Sequence, residues 1–155
     1  MSTLQQSGYL ATAASITWTS GQGLDSLAND EWTDLSDEID NSTNKYMFAD
    51  LDIDLANVAF SGVDSGIEVY LVPSVDGTNY PDWTGNATAD EQGQDQYYVG
   101  FGATTGASGA QRIVVRGIEL PPGKYKWGFR SRAGVALDTS GNSVSWRPHS
   151  FEASA

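Results

Sequence analysis

Met47-Phe48-Ala49-Asp50-Leu51-Asp52-Ile53-Asp54-Leu55 decides the fold class. Met47, Ala49, Leu51, Ile53 and Leu55 are apolar, and Asp50, Asp52 and Asp54 alternate with them. Side chains of a strand point to opposite faces at every second residue, so this is a half-buried strand with one dry face and one wet face. Past Ala56 and Asn57 the apolar positions move to Val58 and Phe60. A slip in phase of this kind predicts a bulge or bend.

Downstream, Ile67, Val69 and Leu71 form the next alternating run, separated from the first by Ser61, Gly62, Asp64 and Gly66, and the two read as a hairpin. Pro73 ends that strand, and residues 74–96, rich in Asp, Gly, Asn, Thr and Pro, read as a long loop with a turn at Asp76-Gly77. Tyr97, Val99 and Phe101 alternate before a Gly, Thr and Ser stretch, and Arg112 to Leu120 reads as a further strand. Pro121-Pro122-Gly123 forces a turn, because proline fixes φ and supplies no backbone donor. Tyr125, Trp127 and Phe129 then alternate with Lys124, Lys126 and Arg130, and Val144 and Trp146 mark a last strand before Pro148.

Upstream, Ile16 and Trp18 read as a short strand. Leu24, Leu27, Trp32, Leu35 and Ile39 fit a helical stripe only loosely, which predicts loops with short strands. The whole predicts an all-β chain forming one antiparallel β-sandwich over residues 1–155, of jelly-roll type, with long loops and an irregular N-terminal region. Residues 1–44 read either as an irregular segment of that domain or as an extended arm that orders on a partner.

Composition narrows the function. The 155 residues include no cysteine, which excludes disulfides, thiolate nucleophiles and cysteine-based zinc sites. A net charge of −12 argues against binding a phosphate backbone, so no nucleic acid partner is expected. No apolar run approaches the roughly 18 to 20 residues of a membrane helix, and Met1 to Leu10 has neither the basic start nor the apolar stretch of an export signal. The expectation is a chain made in the cytoplasm, with no membrane partner.

The charge is unevenly spread. Of the 20 acidic residues 17 precede Arg112, where Lys45 is the sole basic residue, so residues 1–111 carry −16 and the remainder, with seven basic and three acidic residues, +4. Asp50, Asp52 and Asp54 share one strand face, and Lys124, Lys126, Arg130 and Arg132 share another. Either these strands are neighbours in one sheet and pair their charges, or the faces meet other surfaces, between identical subunits or against an oppositely charged partner. A divalent cation on the three Asp is disfavoured, since side chains at i and i+2 of a strand stand ~6.6 Å apart.

No catalytic signature stands out. His149 is the only histidine, and no nucleophile elbow, phosphate loop or zinc-protease motif accompanies it, so the chain reads as non-enzymatic, without cofactor or metal. Asn79, Tyr80, Asp82 and Trp83 lie together in the long loop. They fit sugar stacking and hydroxyl recognition, or else the aromatic rings cover one end of the core. Asn41-Ser42-Thr43 and Asn86-Ala87-Thr88 match glycosylation sequons, read as coincidental without an export signal.

Several segments resemble those of small tailed-bacteriophage virion proteins: Leu24-Asp25-Ser26-Leu27-Ala28-Asn29, Ile39-Asp40-Asn41-Ser42-Thr43-Asn44, Val69 through Tyr80, Arg116-Gly117-Ile118-Glu119-Leu120-Pro121-Pro122-Gly123-Lys124-Tyr125-Lys126, and Ala136 through Pro148. The resemblance implies a capsid decoration or cement protein with a jelly-roll-like fold, on the outer surface of the head, whose partners are the major capsid protein and other copies of itself. Trimers at capsid threefold positions are a common arrangement for such proteins. Trp18 and Trp32 then stand as anchors within the N-terminal arm, beside the charged faces. The alternative is a tail- or fibre-associated carbohydrate- or receptor-binding module using the loop around Trp83.

Overall fold

In the computed structural model, which describes residues 4–6, 8–60, 65–85 and 94–153, two four-stranded antiparallel sheets pack face to face. The first has the order β2 (Ala14–Ile16), β9 (Ser143–His149), β4 (Phe48–Val58), β7 (Gly109–Glu119). The second has the order β3 (Ile39–Asp40), β8 (Lys124–Arg132), β5 (Gly66–Pro73), β6 (Tyr98–Ala103). Successive strands change sheet at every connection except β5 to β6, which is jelly-roll winding. The expected hairpin between β4 and β5 is therefore corrected: these strands lie in opposite sheets. Alternation reports which side chains are dry, and Leu51 and Val69 are equally dry whether their strands pair or face each other across a core.

The core lies between the sheets. From β4 it takes Ala49, Leu51, Ile53 and Leu55, from β5 Ile67, Val69 and Leu71, from β7 Ile113, Val115 and Ile118, and from β8 Tyr125, Trp127 and Phe129. Each large side chain buried there is worth about 1.5–3 kcal/mol relative to exposure. The phase slip after Leu55 is a real irregularity, since Leu55 pairs with Gln111 and Val58 with Gly109, leaving one extra residue on β4. A second extra residue sits on β7, where Ala49 pairs with Ile118 and Leu51 with Val115. Gly117, at φ 70, makes that second bulge, in a backbone region that disfavours any side chain. β9 continues through Pro148, past the end its sequence predicts. Pro148 turns its carbonyl to the Leu10 N–H, and its missing donor falls on that same side, away from β4.

Residues 14–44 belong to the sandwich as an irregular segment, and the arm reading does not hold for them: Leu24, Leu27 and Trp32 are buried. Their loops and short strands match the expectation. From Asp30 to Asn41 the chain runs antiparallel along the free edge of β8, with the N–H groups of Asp30, Thr33, Ser36 and Asn41 donating to the carbonyls of Ser131, Phe129, Trp127 and Gly123. The segment is too puckered to pair as a regular strand. The hydroxyls of Thr33 and Ser36 replace the missing acceptors, taking the N–H groups of Phe129 at 3.0 Å and Trp127 at 2.9 Å. At the chain ends, β1 (Leu4–Gln6) and β10 (Phe151–Ala153) pair antiparallel as a separate two-stranded ribbon.

Candidate functional site

The outer faces of the two sheets are built differently. On the first sheet, β9, β4 and β7 present three columns in register: Ser143, Ser145 and Arg147; then Asp54, Asp52 and Asp50; then Arg112, Val114 and Arg116. Asp54 stands between Ser143 and Arg112, and Asp52 between Ser145 and Val114. Arg112 donates to Asp52 and reaches Asp54 at 3.8 Å, and this guanidinium holds Asp52 below the usual carboxylate range. Most of the Arg112 and Arg116 side chains stays in water, 68% and 75% exposed.

Asp50 is the buried node of this face, 7% exposed. Burial pushes its pKa up, but the Tyr9 hydroxyl at 2.6 Å and the Gly117 N–H at 2.8 Å donate to it, His149 and Arg116 stand beside it, and the net shift is downward. The Gly117 bulge is what aims that N–H at Asp50. His149 lies 3.4 Å from Asp50 and stacks on Phe48 at 5.5 Å, a buried structural group. Residues 8–13 form a strap along the β9 side of the face: Leu10 donates to Pro148, Arg147 donates to the Ala11 carbonyl at 3.0 Å, and its guanidinium lies 4.3 Å over the Tyr9 ring. Between strap and sheet runs a groove of about 310 Å³, with Tyr9, Ala13, Asp52, Arg112, Val114 and Arg147 among its walls.

On the second sheet the outer face is roofed. Trp32 is fully buried against Tyr70 at 4.5 Å and Trp83 at 5.4 Å, with the Arg130 guanidinium 5.0 Å over its ring. Trp83 donates its indole N–H to the Thr33 carbonyl at 2.8 Å and lies so close over Gly128 that a Cβ there would stand 2.3 Å from the ring. Trp32, read as an anchor of the N-terminal arm, is instead part of a second aromatic layer outside the main core. Trp18 is half-buried, edge-on to Phe129 at 5.8 Å, with its N–H on the Asp34 carbonyl.

Of the two readings of the charged faces, the one that pairs the acidic strand with the basic strand in one sheet is corrected. β4 and β8 belong to different sheets, and each balances its charges locally. Lys124 pairs with Glu38 at 2.8 Å, Lys126 lies 4.9 Å over the Tyr80 ring, Arg130 faces Glu68 at 3.8 Å, and Arg132 pairs with Asp30 at 3.0 Å. Lys124 and the Tyr80 hydroxyl together hold Glu38 below the usual carboxylate range. In the loop, Asn79 bonds to Asp76, Tyr80 to Glu38 at 2.9 Å, and Asp82 is exposed. Asn79 thus closes the turn of the loop on itself, while Tyr80 and Trp83 hold the loop to the N-terminal segment and the sheet. The Asn41 sequon is closed in the fold, its side-chain amide donating to the carbonyls of Tyr46 and Pro121; Asn86, Ala87 and Thr88 lie outside the described residues.

Sequence reasoning missed Arg112, Val114, Arg116 and Arg147 as the partners of the acidic column. The signal was present in Arg112-x-Val114-x-Arg116, a second outward-facing alternation with no hint of which strand lay beside it. Among the described residues no group of three or more His, Asp or Glu is placed to hold a metal ion. No known protein family matches the chain, and no curated protein is similar to it.

Proposed function

We propose that the chain is a non-enzymatic structural protein of a phage virion, a decoration or cement protein on the outer surface of the head that stabilises contacts between major capsid subunits. The observation that supports this reading best is the jelly-roll winding, an architecture recurrent in viral capsid proteins and in lectins. A cement protein must hold its shape against internal pressure, and the roofed second sheet and the docked residues 14–44 make a stiff body. The lectin-like alternative gains nothing from the loop, because Trp83 and Tyr80 are both engaged within the fold.

The test is to mix the purified protein with capsids and with separated tails that lack it, and to image which becomes decorated. Regular, high-copy binding to the shell is the expected result. Decoration of tails alone, or of neither while glycans bind, overturns it. In the same assay Trp83→Ala is expected to lower stability and leave glycan binding absent in both proteins.

A further inference from the structure

We infer that the outer face of the first sheet is a self-association surface, through which two copies of this chain form a two-fold dimer. The argument begins with charge. Asp50, Asp52 and Asp54 on this face are matched by Arg112, Arg116 and Arg147, and Glu119, opposite Phe48 at one end of the face, adds one further carboxylate, so the face is close to neutral and nearly all of the net charge of −12 lies elsewhere on the molecule. Two strongly acidic copies meet with least repulsion through the neutral face.

The order of the columns then selects the symmetry. The acidic column on β4 lies beside the basic column on β7. A two-fold axis parallel to the strands, in the plane of contact and between these columns, turns β4 of one copy over β7 of the other. The two acidic positions that reach the surface, Asp54 and Asp52, thereby face the second copy's Arg112 and Val114, which is the self-complementarity that an isologous interface requires. Asp54, 55% exposed, comes opposite the second copy's Arg112, 68% exposed. Arg112 has donors enough to serve both its own Asp52 and the incoming Asp54. Val114, 54% exposed, is the apolar centre of the column, and it comes opposite the groove beside Asp52 and Ser145. The strap lies along β9 and reaches the β4 column at Asp50 through the Tyr9 hydroxyl, so the contact is made at the Asp54 and Asp52 end of the face, and the rest of the strap stands beyond the second copy's β7 edge. The inference is independent of whether the protein decorates a shell, and it favours a two-fold pair over the threefold arrangement that the resemblance implies.

Sedimentation equilibrium on the purified full chain tests it. The wild type is expected to show twice the chain mass. Arg112→Glu makes both members of the facing Asp54–Arg112 pair acidic and Asp54→Arg makes both basic, and each alone is expected to weaken the dimer about tenfold or more. An equimolar mixture of the two variants is expected to restore it, because the acidic face of one then meets the basic face of the other. Val75→Glu, at a 96% exposed position in the roof loop, is expected to leave the dimer intact. A wild type that stays monomeric or forms trimers, a dimer indifferent to both charge reversals, dissociation by Val75→Glu, or no recovery on mixing two folded variants each overturns the proposal. Circular dichroism of every variant establishes folding, and the wild-type mass decides the matter even if a variant does not fold.

Discussion

The two outer faces of this sandwich start from similar material and end differently. Both carry alternating charged residues, Asp50, Asp52 and Asp54 on β4 and Lys124, Lys126, Arg130 and Arg132 on β8. The β8 face is roofed because the same sheet also turns Tyr70 and Val72 outward, apolar surface that needs a cover, and the N-terminal segment and the loop after β5 supply Trp32 and Trp83. Between Asp54 and Asp50 the β4 face turns outward only Asp, Ser, Arg and Val114 across its three columns, its apolar Phe48 is met at one end by His149 and Phe151, and beyond the Tyr9 strap nothing draws a loop over it. Residual apolar surface, more than charge, decides which face of a sheet is covered.

That contrast is open to measurement. Trp32→Ala should lower the unfolding free energy by about 4 kcal/mol, as for a truncated core residue, whereas Val114→Ala on the bare face should change it by less than about 0.5 kcal/mol. A small effect at Trp32 in urea titrations would mean that the roof is decoration on an otherwise complete domain. Next in size is Asp50→Ala, expected to cost about 3 kcal/mol, because Tyr9, Gly117, Arg116 and His149 would be left facing an absent carboxylate. Since folding lowers the Asp50 pKa from its ordinary 3.8, its contribution is fully present above that value and fades as pH falls through the folded one. Asp50→Asn should therefore flatten the acid limb of stability below about pH 4, followed as the urea midpoint against pH.

Gly128→Ala should cost about 1–3 kcal/mol, because its Cβ would collide with the ring of Trp83, and thermal melts would register it as a lowered midpoint. The smallest effect has the opposite sign. The Tyr125 hydroxyl is buried with no hydrogen-bond partner, and burial pushes its pKa far up. Tyr125→Phe removes that unsatisfied group and should stabilise the protein by about 1 kcal/mol.

The fold class was legible because Ala49, Leu51, Ile53 and Leu55, and again Tyr125, Trp127 and Phe129, announce their faces through strict alternation. Partner strands were not, since in a jelly roll the next strand in sequence is seldom the next in the sheet, and nothing in Ile67-Glu68-Val69 names β8 as its neighbour. The roof was hidden for a related reason. Trp32 sits in a stretch of Asp, Glu, Ser and Thr that has no period, and it is buried by what the segment lies upon. Of the candidate surfaces, the acidic column could be read directly, while its basic partner needed the register between β4 and β7.

The pairing of β1 with β10 carries a consequence for how the domain can be mounted. Leu4 lies opposite Ala153, so these two points of the backbone stand about 5 Å apart in one ribbon. The span between them has its two ends side by side. It could be grafted into a surface loop of another protein at one point of attachment, with hardly any widening of that loop.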